Sequence, residues 1–319
     1  MEQLSKEKLY TLRWYNSEMT KATAILNIDR LNALIEQQYD LLTELLNEDT
    51  AVVTVPVKPI ETTKPVPSVP IAPIIPDKSR PSVGDKNAKL SWVPWAKIKK
   101  DGLKPSGKYP KGYPEGLVVH FTAGNYRAKD NATGILEYGN SMGFGYMALD
   151  TDGSLHQWQS LADWDSHAGV SAWVIDGTKV DGVSSRFVGV EICNPGRLEF
   201  HEGNYYAWFD ITKDKSNKVI SARNPIKPKD CRIFRENKDN ILAGIYLPYT
   251  KEQEAELIRL CLWLKQNNPS VFSFNNVVGH DEVAGPKGIG YWRKNDPGGA
   301  LSMTMSEFRK KLIDLYGEA

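Results

Sequence analysis

The sequence predicts an α/β fold, a mixed central β-sheet flanked by helices, preceded by an N-terminal helical segment and a Pro-rich linker. Three observations carry that expectation. Apolar, β-rich runs at Leu117 to Phe121, Phe187 to Ile192 and Asn276 to Gly279 have the length and composition of buried strands. Leu257, Cys261 and Leu264, and later Phe308, Leu312 and Leu315, recur at helical spacing. An Asp152-Gly153 pair between two β-rich segments signals a hairpin. Strands interleaved with helices and pieces of hairpin give a mixed sheet with helices against it.

Residues 1 to 49 form the first unit. Ser5 can cap a helix over residues 5 to 48 that neither proline nor glycine interrupts before Pro56. From Ala24 onward, Ile28, Leu31, Ile35, Gln38, Leu42 and Leu45 step by threes and fours, a seam of about three heptads. The stretch could equally break near Asn27 to Asp29 into two antiparallel helices. Its apolar stripe suits self-association or docking on a component of a larger particle, and equally a small hairpin or a helix lying on the main domain. Residues 50 to 89 are linker. Prolines from Pro56 to Pro81, interleaved with Val, Ile, Lys, Thr and Ser, cannot pack a core and extend as polyproline II. At about 3.1 Å per residue, roughly thirty such residues reach on the order of 80 to 100 Å.

The main domain spans residues 90 to 319. Ser91-Trp-Val-Pro-Trp and a Lys-, Gly- and Pro-rich stretch lead to the first strand, and Thr122-Ala-Gly turns the chain away from it. Asn131 is expected to cap a helix to about Met142, with Ile135, Leu136 and Tyr138 as its apolar contacts. A hairpin follows, Phe144 to Asp150 and Ser154 to Gln159, with Tyr146 in its first strand. The loop Trp164-Asp-Ser-His167-Ala-Gly-Val-Ser precedes the strand that carries Glu191. About residues 195 to 249 are long and polar, with aromatic and charged patches. Thr250-Lys-Glu-Gln is a capping box that opens a helix to about Gln266, and the last strand and a closing helix complete the domain.

Composition excludes several classes. A net charge of +1 gives no support to nucleic-acid binding. Three cysteines, Cys193, Cys231 and Cys261, with no CxxC spacing indicate neither a disulfide framework nor a thiolate metal site, and they read as reduced, mostly buried thiols. The N-terminus lacks the apolar region of a Sec signal, and no run of about 18 apolar residues suggests a membrane span.

Two strands each deliver a histidine at their ends, His120 and His280, and Asp296 sits on the loop that follows. Either histidine alone could be satisfied by backbone. Together, two imidazoles, one carboxylate and a vacant fourth position make the ligand set of a catalytic zinc. Two nitrogens among three ligands favour one Zn2+ over magnesium or calcium, and over copper or nickel only by availability.

His120-Phe-Thr-Ala-Gly, Gly145-Tyr146, Asp152-Gly153, His167-Ala-Gly-Val-Ser, Val188-Gly-Val-Glu-Ile, Gly279-His280 and Lys294-Asn-Asp-Pro-Gly occur in the order expected of zinc-dependent N-acetylmuramoyl-L-alanine amidases. Over roughly residues 92 to 316 the chain resembles this type 2 amidase group, related to peptidoglycan recognition proteins and to phage endolysins. The resemblance implies peptidoglycan as substrate and hydrolysis of the amide between the lactyl group of N-acetylmuramic acid and L-alanine. Residues 195 to 249 then read as an insertion that could wall the substrate groove, since the family's connection there is usually short.

Zinc activation leaves two tasks to side chains, moving the proton of water and stabilising the oxyanion. Glu191, an isolated carboxylate in an apolar strand, is the leading base, because burial raises its pKa. The family uses a glutamate at that position in one branch and a tyrosine at the position of Tyr146 in others; this sequence has both, and which dominates stays open. The resemblance gives Lys294 the oxyanion, with a somewhat long connection of residues 281 to 293 before it. His167 is expected to touch substrate or to support a ligand, and Thr122 and Asn194 to contact substrate. His156 and His201 have no assigned role. The rival readings are a recognition module that binds peptidoglycan without cutting it, and a structural protein that carries the hydrolase as passenger. A chain made in the cytoplasm without a Sec signal would reach the wall after lysis or on a phage or phage-tail-like particle.

Overall fold

A computed structural model describes residues 89–99, 105–128, 130–284 and 294–317. The N-terminal helix, the Pro-rich stretch of residues 50 to 86 and residues 285 to 293 of the connection before Lys294 lie outside the described residues. In chain order the first strands are β1 (Lys97–Ile98), β2 (Gly107–Lys108), β3 (Gly116–Phe121), β4 (Met147–Leu149), β5 (Leu155–Gln157), β6 (Asp163–Trp164), β7 (Ala172–Ile175), β8 (Thr178–Asp181) and β9 (Phe187–Ile192). There follow β10 (Arg197–His201), β11 (Asn204–Tyr206), β12 (Ile211–Lys213), β13 (Val219–Ala222), β14 (Arg232–Phe234), β15 (Gly244–Tyr246) and β16 (Val277–Gly279). The helices are α1 (Asn131–Ser141), α2 (Lys251–Asn267), the single turn α3 (His280–Val283) and α4 (Met305–Tyr316).

Six strands make the central sheet in the order β1-β5-β4-β9-β3-β16. β3 runs parallel to β9 and to β16, and β9 parallel to β4, whereas β4 and β5 form the antiparallel hairpin signalled by Asp152-Gly153. The sheet is therefore mixed, as expected. Its interior strands are apolar almost throughout because both of their faces are covered.

Alternation along the strands sorts side chains into two layers. Leu117, Val119, Met147, Leu149, Val190 and Ile192 enter a core completed by α2 and α4. Val118, Phe187 and Val278 point the other way, among Ala168, Ile175, Val183 and Val283. His120 and Glu191 share the parity of this second layer and are register partners across β3 and β9. One strand spacing, about 4.8 Å, separates their backbones.

The helix signals hold in detail for α2. Thr250 Oγ1 accepts from the Gln253 amide at 3.0 Å and Gln253 Oε1 from the Thr250 amide at 3.0 Å, while Leu257, Cys261 and Leu264 are buried. α4 opens with the same reciprocal cap, Thr304 with Glu307. Four local expectations are corrected. Asn131 does not cap α1; it is the first helical residue, after Asp130 in the left-handed region with no capping side-chain bond. Tyr138 lies off the buried stripe of Ala132, Leu136 and Gly139 and is exposed. Leu315 is exposed too, because Tyr316 instead completes the packing at that end of α4. Tyr146 precedes β4 rather than lying within it.

Residues 195 to 249 build a second sheet in the order β11-β10-β15-β14 and the separate pair β12-β13, all antiparallel. All three cysteines are free, Cys193 and Cys261 buried and Cys231 half-buried. Among the described residues, no helix is long and apolar enough to cross a membrane.

Leu257→Ala, in the α2 layer, is expected to cost about 2–5 kcal/mol in urea unfolding, against no more than about 0.5 kcal/mol for Leu315→Ala. Equal costs would contradict the assignment of the core.

Candidate metal and catalytic site

β3 carries His120 near its end, β16 hands over directly to His280 at the start of α3, and Asp296 stands on the loop beyond. All three side chains are buried. His120 Nδ1 lies 2.9 Å from His280 Nδ1 and 3.1 Å from Asp296 Oδ2, and His280 Nδ1 lies 2.9 Å from the same oxygen. The predicted trio is thus brought together as a group that could hold a metal ion.

Proton bookkeeping shows what the group needs. His167 Nε2 is 2.9 Å from the Phe187 carbonyl, which can only accept, so Nε2 carries the hydrogen and, in a neutral ring, Nδ1 is a lone pair. His120 Nε2–H therefore donates to His167 Nδ1, at 3.1 Å. By the same reasoning His280 Nε2–H donates to the Ala168 carbonyl at 3.2 Å. Both Nδ1 atoms are then lone pairs aimed at each other and at a carboxylate oxygen. Three acceptors with no hydrogen to share repel unless a cation lies between them. A tetrahedral ion with bonds of about 2.0–2.1 Å would hold its ligands about 3.3 Å apart, close to the edges found here.

Electrostatics agree with that reading. Burial, with His280 alongside, pushes the His120 imidazole down to about 4, and burial with His120 alongside holds His167 well below its usual value. Both rings are neutral near pH 7, as ligation by His120 requires. Burial alone would raise the Asp296 carboxyl, but the two imidazoles against it carry it well below the usual carboxylate range.

Apart from His167, the supports come from places the sequence did not mark. His167 fits over β9 because position 189 is glycine: a Cβ there would stand 2.7 Å from His167 Cγ. With both its nitrogens engaged by protein atoms, His167 takes the second of its expected roles, backing His120 rather than presenting a hydrogen bond to substrate. Tyr249 donates its O–H to the His120 carbonyl at 3.2 Å. The Asp296 loop is tied to α3 by the Asp281 amide on the Asp296 carbonyl at 2.9 Å, and by Asp281 Oδ2, which accepts from Asn240 Nδ2 and the Gly298 amide. The second sheet clamps the same loop. Tyr246 and Phe234 lie where a Cβ on Gly299 would be, and Arg232 Nη1 donates to the Ala300 carbonyl at 2.7 Å.

Glu191 sits beside His120 with Oε2 buried and unpartnered. Burial, helped by Asp296 and opposed by Lys294, pushes its carboxyl up to about 8. Lys294, partly buried, makes its charge felt by both Glu191 and His120. Tyr146 is turned toward α1, where it donates to the Ile135 carbonyl at 3.2 Å, and burial next to Glu191 raises its phenol well above the usual value. Thr122 and Asn194 face each other: Thr122 Oγ1 donates to the Asn194 carbonyl at 3.2 Å and accepts from the Asn194 amide at 3.3 Å. Asn194 also spends its side chain on the Leu247 carbonyl and the Gly196 amide, joining β9 to the second sheet.

Because the folded protein keeps Glu191 protonated where the unfolded chain would ionise it, its contribution to stability is complete below about 4.5 and is lost as pH rises through about 8. Metal-stripped wild type should therefore lose melting temperature relative to Glu191→Gln between about pH 5 and about pH 8. Parallel calorimetric curves would contradict a buried acid at this position.

The sequence model of the N-acetylmuramoyl-L-alanine amidase family matches residues 110–299. Among solved structures the chain is similar to a selenomethionine derivative of AmpD, at 17% identity over 69% of this chain and 96% of that one, with a TM-score of 0.40. It is similar to AmiD from E. coli, in complex with anhydro-N-acetylmuramic acid-L-Ala-D-gamma-Glu-L-Lys, at 18% identity over 64% and 61% of the chains, TM-score 0.37. It is also similar to the endolysin amidase LysCS from Clostridium intestinale, at 16% identity over 70% and 97%, TM-score 0.37. No curated protein matches the chain.

Proposed function

The chain belongs to the N-acetylmuramoyl-L-alanine amidase family, and from that premise we propose that it cuts its amide with one zinc ion held by His120, His280 and Asp296 and with Glu191 as general base. The bond is the one that joins the lactyl group of N-acetylmuramic acid to L-alanine of the peptidoglycan stem peptide. The observation that carries the metal reading is the convergence of two imidazole lone pairs and a carboxylate oxygen within 3.1 Å of one another.

A zinc ion there would lower the pKa of a water toward about 7 and polarise the scissile carbonyl. Glu191 takes a proton from the attacking water as its oxygen bonds to the carbonyl carbon, and returns it to the nitrogen of L-alanine as the carbon–nitrogen bond breaks. Its unpartnered Oε2 beside His120 supports that role, and the charge of a zinc ion held there would favour the ionised carboxylate that the role needs. Tyr146 has its O–H committed to Ile135, which supports Glu191 over Tyr146 as base. Lys294 offers its ammonium to the developing oxyanion. Thr122 and Asn194, bonded to each other and to backbone, hold the turn after β3 against the end of β9.

Metal content and release of new L-alanine N-termini from purified peptidoglycan test this reading. His280→Ala should lose both. Glu191→Gln should keep about one zinc while kcat falls about 100-fold or more. A zinc-loaded wild type that binds peptidoglycan and releases nothing would make the chain a recognition module instead.

A further inference from the structure

The hydrolytic reading leaves one surface of the segment of residues 195 to 249 unused. Trp208 is 56% exposed, and its one polar group is already committed, since Nε1–H donates to the Ala123 carbonyl at 2.6 Å. Ala123 is three residues past His120, so the two Cα atoms are no more than about 11 Å apart. An indole with no hydrogen bond left to make thus presents an apolar face to water, held by the loop that leaves β3. Phe209 packs edge-on against it at 5.7 Å. The next residue, Asp210, is buried, ion-paired with Arg127 at 2.7 Å, and anchors the β12-β13 pair through the Arg223 amide and Asn224 Nδ2.

A basic run starts at that pair. Between residues 213 and 235, eight lysines and arginines face two aspartates, a local excess of six positive charges in a chain whose net charge is +1. Lys213, Arg223 and Arg232 have acidic partners in Glu199, Asp210 and Glu254. Lys215, Lys218, Lys227, Lys229 and Arg235 are exposed and form no ion pair among the described residues. Unpaired surface cations act over about 8–10 Å at ordinary ionic strength and attract an extended polyanion rather than a point charge.

We propose that Trp208 and these cations form an accessory surface for the peptidoglycan strand beyond the cleaved unit, the indole stacking on a sugar ring and the cations facing the free carboxylates of neighbouring stem peptides. This rests on the amidase reading of the adjoining site. The attachment of Trp208 to the loop after His120 favours the polymer that occupies the site itself. A phosphodiester-rich wall polymer would need only the charge.

The test uses the full chain, Trp208→Ala, and a second variant with Lys215→Gln, Lys218→Gln, Lys227→Gln and Lys229→Gln combined. Each is sedimented with insoluble peptidoglycan freed of phosphodiester polymers, at about 0.05 M and about 0.5 M salt. Each is also assayed for kcat/KM on that polymer relative to a soluble muramoyl-tripeptide. Both variants should bind about tenfold more weakly and lower that ratio by a similar factor. Wild-type binding should fall with salt while that of the lysine variant hardly moves, and Trp208→Phe should restore most of the loss in Trp208→Ala. Unchanged sedimentation, or losses that are equal on both substrates, would overturn the proposal. So would wild-type binding that vanishes once the phosphodiester polymers are removed. Sedimentation needs no turnover, so a wild type that binds strands through this surface and hydrolyses nothing would sink the amidase chemistry alone.

Discussion

Two imidazole nitrogens and a carboxylate oxygen pointing at one another inside a protein is an arrangement that folding opposes, and much of the described structure can be understood as what holds it in place. Each histidine is fixed from behind. His120 leans on His167, which leans on the Phe187 carbonyl; His280 leans on the Ala168 carbonyl. Because a carbonyl can only accept, the direction of every hydrogen in this chain is determined, and the lone pairs are left on the side where a cation belongs. The central sheet supplies the rigidity. β3 is paired on both sides, and the β9 strand next to it carries both the carbonyl that ends the relay and the carboxylate that stands beside the ligands.

The third member of the group is held differently. Asp296 comes from a loop, and the loop is gripped from two directions, by Asp281 on α3 and by Arg232, Phe234 and Tyr246 of the second sheet. The segment of residues 195 to 249 is therefore structurally continuous with the candidate metal site on one face, while its other surfaces carry the exposed indole and the unpaired cations. Asn194, at the junction with β9, ties the two sheets together by bonding to the Leu247 carbonyl.

What was legible in the sequence follows the physics of each signal. The strands at Phe187 to Ile192 and around Val118 could be read because fully covered strands are apolar without interruption, which made the lone Glu191 conspicuous. The α2 cap could be read because its reciprocal bonds are local in sequence. Asn131 misled because an asparagine before an apolar stripe satisfies the same pattern whether it caps the helix or begins it. Tyr138 and Leu315 misled because a three- or four-residue spacing admits a wider stripe than the layer has room to bury. The role of His167 was only half legible. Its partner Phe187 is twenty residues away, and nothing local shows that an imidazole will be clasped between a strand carbonyl and another ring. The clamp on the Asp296 loop was not legible at all, since it depends on where an independent sheet docks.

Gly189 has no side chain and touches no ligand, yet the His167 ring lies where its Cβ would be. Removing that vacancy would displace His167 and free the hydrogen it fixes on His120, so that the strand histidine could present either nitrogen inward. The choice of coordinating atom is thus inherited from a neighbouring strand, which gives this fold a concealed point of failure. A side chain at position 189 would therefore alter which nitrogen His120 turns inward while leaving His120, His280, Asp296 and Glu191 themselves unchanged.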